Sequence, residues 1–379
     1  MYYVTVPQTP RVHQLSLEEL LFGMNTNTHL NYDFTGATRT VSYERLSRKI
    51  LGTVNVDALI RRLRRFNDST AHLHECERQK LYYTFHIPKK SGGLRRIDAP
   101  NDELMDELRH LKRIFEESFH ALNHTCAFAY VKGRSTISAI KRHQNNASKW
   151  FGKFDLSDFF GSTTKEFVLQ QFSMIFPFSE VMKRENGRAE LSKALDLAFL
   201  NGGLPQGTPI SPLITNVMMI PIDFALANTL RNYEKQSYVY TSYADDFIIS
   251  SKYDFDHAKI EQLIVDTLES FSAPFSLNRK KTRYGSSAGS NWNLGLMLNK
   301  DNQITVGSAK KRQLMTMLRN FVVDMRNGVT WDLYDIQVMD GYLNYYRMVE
   351  RETIDGMIQH FNQKNNVDVR RCIKAALAA

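Results

Sequence analysis

Tyr238-Val239-Tyr240-Thr241-Ser242 and Phe247-Ile248-Ile249-Ser250-Ser251 are two strand-like runs joined by Tyr243-Ala244-Asp245-Asp246, and this stretch decides the fold. Aromatic and β-branched residues on both sides of so short a connection predict a hairpin. Two adjacent acids at its tip are an expensive arrangement, because like charges a few ångströms apart raise each other's pKa unless a cation neutralises them. A metal ion resolves the conflict. Taken alone, an Asp-Asp pair at a turn is more often a solvated hairpin tip, so the reading depends on what the rest of the chain supplies.

Upstream, Phe154-Asp155-Leu156-Ser157-Asp158-Phe159-Phe160 places an acid at the end of an apolar strand running in from Trp150. Two-metal phosphoryl transfer needs carboxylates from separate segments, one ion activating the attacking 3′-hydroxyl and the other holding the triphosphate and leaving group. Asp155 supplies the third ligand. Asp158, three residues on, reads as a helix cap. Between these segments, Gly202-Gly203-Leu204-Pro205-Gln206-Gly207-Thr208-Pro209-Ile210-Ser211-Pro212 forms a rigid loop that brings backbone close to a ligand, with Ile214, Val217 and Met218 continuing a helix behind it. Gln206 offers a donor and an acceptor inside that loop.

The chain has 379 residues, of which 42% are hydrophobic and 23% charged, enough for two or three closely packed subdomains in a globular protein. A net charge of +9 favours a polyanionic partner, since basic surface displaces counterions from phosphates. Cys76, Cys126 and Cys372 are far apart and form no C-x-x-C pair, so neither a disulfide framework nor a cysteine-rich zinc site is expected. His72, His74 and Cys76 share no helical face at i, i+2 and read as surface or packing residues. With no signal-like start and no run approaching the roughly 20 apolar residues of a membrane span, a cytoplasmic protein with no membrane partner is expected.

Residues from Ser16 to about Phe66 read as helices, ending in Arg61-Arg62-Leu63-Arg64-Arg65, which is either a solvated face or a phosphate-contacting surface. Tyr82 to Ile97 reads as a hairpin with cations on both arms, able to close over a triphosphate. Pro100 then opens a helix to about His120, with Leu104, Leu108, Leu111 and Ile114 at helical spacing. Strands and helices alternate from Trp150 to about Tyr284, and helical periodicity returns after Ser308.

These segments, in this order, closely resemble bacterial reverse transcriptases, the group of retron enzymes, group II intron maturases and defence-associated reverse transcriptases. The resemblance runs from about Phe85 to Tyr346. It implies an α+β right-hand polymerase fold: an N-terminal helical extension over 1–80, fingers over 81–149, a palm of antiparallel sheet plus helices over 150–305 with a fingers segment near 165–200, and an α-helical thumb over 306–379. It further implies that Asp155, Asp245 and Asp246, with the Leu156 carbonyl, hold two Mg2+ ions, for which Mn2+ can substitute. Phe160 falls where the family keeps an aromatic beneath the sugar; a ring there excludes a 2′-hydroxyl and selects deoxynucleotides. Gln206 and Tyr243 would line the nucleotide pocket, Lys89 and Arg95 would grip its phosphates, and Lys281, or Lys280 beside it, would serve the leaving pyrophosphate. Asn293-Leu294-Gly295-Leu296 looks like the primer grip, or equally like core packing.

The Leu204-Pro205-Gln206-Gly207 loop departs from that of diversity-generating enzymes, and the missing Val-Thr-Gly triplet near Gly295 counts against a retron enzyme. No maturase or endonuclease segment follows, so a mobile intron protein is not expected. The implied activity is RNA-directed DNA synthesis from dNTPs, templated by a dedicated noncoding RNA in antiphage defence, with a homo-oligomer or a second protein subunit as further partners. The alternatives are retron-type synthesis of RNA-linked DNA, template-independent or protein-primed extension, and a non-catalytic RNA-binding module. The clustered acids favour an enzyme, because an inert scaffold has no chemical need for them.

Overall fold

The computed structural model describes residues 55–89, 92–118, 124–235, 237–289 and 291–378, preceded by four short strands. Those strands are β1 (Tyr3–Thr5), β2 (Val12–Ser16), β3 (His29–Tyr32) and β4 (Thr40–Ser42); β1 pairs with β4 and β2 with β3, both antiparallel. The helical reading from Ser16 onward is corrected at β3 and β4, where β-branched and aromatic residues such as Thr40, Val41 and Tyr32 pair across ribbons instead. The rest of that reading before Asn55 lies outside the described residues. Among the described residues, the first helix is α1 (Val56–Ser69), capped by the Asn55 side chain accepting from the Ala58 N–H at 2.9 Å.

The chain divides into two units, Met1–Ser135 with Gly152–Tyr284, and Thr136–Phe151 with Gly285–Ala379. In the first, α1 buries Leu59, Ile60, Leu63 and Phe66. Its opposite, basic face is partly consumed by protein partners: Arg62 pairs with Glu117 at 2.5 Å and Arg64 with Glu190 at 3.0 Å. The expected ribbon is β5 (Tyr82–Pro88) against β6 (Leu94–Pro100), in register from Tyr82↔Pro100 to Pro88↔Leu94. Helix α2 (Asp102–Ser118) follows, with Leu104, Leu108, Leu111 and Ile114 buried as their spacing requires.

The central sheet contains β7 (Trp150–Asp155), β8 (Val239–Tyr243), β9 (Asp246–Ser251) and β10 (Arg283–Ser286), in the order β10-β7-β9-β8. Helix α3 (Ser211–Met218) leads into α4 (Ile220–Asn232), which packs on β8 and on α5 (His257–Ser270). No single described helix is long and apolar enough to cross a membrane; α3 and α4, bent by 43°, pass such a test only together, and most of their side chains are buried in the protein.

In the second unit, helices α6 (Ser308–Arg326), α7 (Leu333–Val349), α8 (Arg351–Asn365) and α9 (Val369–Ala378) follow a small hairpin of Met297–Leu298 and Ile304–Thr305. The helix Thr136–Asn145 groups with this unit, because its apolar side meets that hairpin. Glu350 ties the unit together, accepting from the Val306 N–H at 2.7 Å and from the Lys311 ammonium at 2.8 Å.

Candidate active site

A two-residue turn, Ala244-Asp245, joins β8 to β9, with Ala244 at φ 56°. The Asp245 carbonyl accepts from the Leu156 N–H at 2.8 Å, which ties the turn to the end of β7, and the Asp155 carbonyl accepts from the Asn278 N–H at 2.7 Å. Backbone bonds from three segments therefore gather Asp155, Asp245 and Asp246 at one end of the sheet. Asp155 is only 4% exposed, and the two turn acids are half-buried.

Two lysines answer this density of negative charge. The Lys281 ammonium lies 2.9 and 3.0 Å from the two Asp155 carboxylate oxygens, and the Lys153 ammonium lies 2.8 Å from Asp246 Oδ2. Burial pushes the Asp246 carboxyl up to about 6 despite Lys153, with the charges on Asp245 and Asp155 adding in the same direction. Asp245 is raised too, by burial and then by Asp155. The Lys281 ammonium is raised chiefly by its bond to Asp155. Asp246 Oδ1 is buried without a hydrogen-bond partner among the described residues.

Around this group, the Leu204 N–H donates to the Phe160 carbonyl at 2.9 Å, and Gly203 lies so close to the Gly161 carbonyl that a side chain there would collide with it. The Gln206 carbonyl accepts from the Asp98 N–H at 2.9 Å, joining the glycine-proline loop to the ribbon. The Tyr130 ring meets Phe160 edge-on at 6.5 Å; burial raises the Tyr130 phenol, Asp245 adds to the shift and Arg95 opposes it. Arg95 and Lys89 are exposed on the ribbon, whereas Arg96 is committed to Asp98 at 2.9 Å. Asp158 occupies the N-cap position but makes no side-chain capping bond.

Of the expected residues, Asp155, Leu156, Phe160, Gln206, Tyr243, Asp245, Asp246 and Lys281 all lie in the first unit and are linked by these bonds or by direct sequence neighbourhood. Leu294, Gly295 and Leu296 lie in the second, where Asn293 pairs with Leu296 across a two-residue turn with both central residues at positive φ, 53° and 79°. Leu296 is fully buried.

Two features escape a reading of the sequence. Lys153 is legible in principle, since it stands two residues before Asp155 and so leaves the same face of β7. The second is a buried polar cluster of His124, Cys126, Asp223, Tyr240 and Ser242. The Tyr240 hydroxyl donates to Asp223 Oδ1 at 2.7 Å and the Ser242 hydroxyl to Oδ2 at 3.3 Å, while His124 Nδ1 lies 2.8 Å from Cys126 Sγ. His124, Cys126 and Asp223 are also the one set among the described residues with metal-ligating atoms mutually within 4.8 Å. Within that cluster both Asp223 carboxylate oxygens are already engaged by hydroxyls. No local pattern announces it, because its members come from distant segments.

Carboxylates drawn from separate segments and set against cations are the arrangement on which metal-dependent phosphoryl-transfer enzymes rely. The chain belongs to the family described as reverse transcriptase (RNA-dependent DNA polymerase), whose profile matches residues 87–313, and it is an RNA-directed DNA polymerase with an α+β polymerase fold. It is similar to the retron Ec73 reverse transcriptase of Escherichia coli, 28% identical over 270 residues, covering 70% of this chain and 82% of that one. It is also similar to the retron Ec83 reverse transcriptase of Escherichia coli (23% identical; 76% and 90% covered) and the retron Mx65 reverse transcriptase of Myxococcus xanthus (27%; 73% and 63%).

Proposed function

We propose that the chain copies a dedicated noncoding RNA into DNA by two-metal nucleotidyl transfer, in the manner of its retron relatives, with Asp155, Asp245 and Asp246 as metal ligands. The observation that supports this most is the convergence of three acids whose charge two lysines only partly offset, leaving one buried carboxylate oxygen without a partner. Such an oxygen and two upshifted carboxyls fit a divalent cation, Mg2+ or its substitute Mn2+. Bound there, with the Leu156 carbonyl as a further ligand, the ions would supply activation of the primer 3′-hydroxyl and neutralisation of the triphosphate.

The chain's own residues do the rest. Lys281 is positioned to stabilise, or to protonate, the leaving pyrophosphate. Phe160, whose carbonyl accepts from the Leu204 N–H, would close the space a 2′-hydroxyl needs. Gln206 and Tyr243 border the incoming base and sugar, Lys89 and Arg95 contact the phosphates, and the Leu294–Leu296 turn seats the primer end. We assign fingers to residues 81–149, with a further segment near 165–200, palm to 150–305 and thumb to 306–379; the N-terminal 80 residues form an extension. The setting we infer is a bacterial cytoplasm, with the RNA, its DNA product and dNTPs as partners, a second subunit or copy of the chain alongside, and antiphage defence as the purpose.

The test is to purify wild type and an Asp245→Asn, Asp246→Asn double variant from a native host and sequence the nucleic acids that travel with each. DNA complementary to a common RNA, present only with wild type, is the expected result. RNA with both proteins and DNA with neither would favour an RNA-binding module. Protection from phage by wild type and not by the variant checks the defence role.

A further inference from the structure

Lys281 and Lys153 neutralise the same cluster from different kinds of position. Lys281 follows a surface turn and its side chain is 55% exposed; Lys153 lies within β7 and its side chain is 23% exposed. The first can exchange partners at little cost, while the second sits on a strand, largely shielded from solvent, and reaches Asp246 on the neighbouring strand β9. Lys153 engages only Oδ2 of Asp246, and Oδ1 remains buried and unpartnered. A carboxylate tethered through one oxygen rotates less freely, which biases where its other oxygen points.

We propose that Lys153 is a positioning residue for the polymerase reaction: by holding Asp246 Oδ2, it restricts that acid to one free oxygen at the metal position. The inference rests on the two-metal reading above. It implies that without Lys153 the carboxylate turns freely, the local charge becomes more negative by one, and cations bind more tightly but in an unproductive arrangement.

The experiment measures Mn2+ binding to the full chain without nucleotide, by electron paramagnetic resonance, alongside the maximal rate of dNTP incorporation with Mg2+. Lys153→Met is expected to tighten Mn2+ binding about tenfold and to lower the maximal rate at least about tenfold, with dNTP KM within about twofold of wild type. Lys153→Arg, which keeps the charge and a donor to Oδ2, should recover most of both properties. In an Asp246→Asn background, Lys153→Met should add almost nothing to the loss of rate, since that effect passes through Asp246, whereas part of the tighter Mn2+ binding should persist because the Lys153 charge also acts on Asp245.

An unchanged rate, or unchanged or weaker Mn2+ binding, in a folded Lys153→Met protein overturns the proposal, as do additive effects on rate in the double variant. If Lys153→Met does not fold, the Lys153→Arg protein decides: Mn2+ affinity and rate near wild type support the role, and loss of both removes it. Wild type that binds no Mn2+ would sink the two-metal reading itself, a failure separate from that of Lys153.

Discussion

Strands β8 and β9 carry two buried acid sites that solve the same problem in opposite ways. At the turn, Asp245 and Asp246 sit beside Asp155, and charge is met with charge through Lys153 and Lys281. Behind β8, Asp223 is fully buried and satisfied by the hydroxyls of Tyr240 and Ser242, one on each carboxylate oxygen. Its carboxyl rises to about 6 because burial outweighs those hydrogen bonds and the more distant charge of Arg134. The turn site retains an unpartnered oxygen, whereas the Asp223 site has none left over. In the proposed function, chemistry belongs to the group that is incompletely satisfied, and Asp223 is a structural joint between α4 and β8.

The sharpest way to break this comparison is to neutralise an acid at the turn. Asp155→Asn or Asp245→Asn should remove several kcal/mol of transition-state stabilisation, a loss of at least about 10³-fold in incorporation rate. RNA binding and the urea unfolding midpoint should change little. A variant retaining more than a tenth of wild-type activity in a single-turnover primer-extension assay would show that the turn acids are no more chemical than Asp223.

Next in size is Lys281. Lys281→Met should lower the single-turnover rate about 100-fold, the usual scale of a positioned acid, and yet tighten Mn2+ binding in the absence of nucleotide, because Asp155 loses its competing cation. Weaker Mn2+ binding in this variant would mean that Lys281 merely holds Asp155 in place. Phe160→Ala tests the pocket rather than the acids: discrimination against ribonucleotides, measured as the ratio of kcat/KM values, should fall about ten- to a hundredfold. Unchanged selectivity would place the sugar gate elsewhere.

How much of this is legible in the sequence follows from where each signal lies. The turn acids, Asp155, Phe160 and the glycine-proline loop sit in short segments whose own residue types state the local structure: β-branched runs around a tight turn, an acid ending an apolar strand, glycines at a close approach. Lys153 carries a weaker signal, alternation with Asp155 in a strand, and an isolated lysine on a strand has no evident partner until the sheet order is known. Asp223 gives no signal at all, since His124, Asp223 and Tyr240 meet only through tertiary packing. The same holds for the helix Thr136–Asn145, whose partner hairpin begins more than 150 residues later. Before Asn55, a helical reading of weakly periodic sequence loses to cross-strand pairing at β3 and β4.

The smallest expected effect concerns Asp223, and it is one of pH and not of rate. Its carboxyl is about 6 in the folded protein against 3.8 when solvated, so folding favours the neutral acid. A raised folded value contributes stability that is complete below about pH 4 and is lost as pH rises through about 6, beyond which the penalty is constant. The rise from 3.8 to about 6 corresponds to about 3 kcal/mol at most. Asp223→Asn keeps an oxygen for the Tyr240 hydroxyl, and the Ser242 hydroxyl can rotate to accept from the new amide. The variant should therefore exceed wild type in urea unfolding by about 1 kcal/mol at pH 4.5 and by up to about 3 kcal/mol at pH 7.5, with incorporation of dNTPs preserved. Taking the difference between the two proteins at each pH cancels the parallel titration of Asp246, which both retain. A difference that does not change with pH would mean that Asp223 stays ionised when buried, held by Arg134, and the two acid sites would then differ only in which cation answers them.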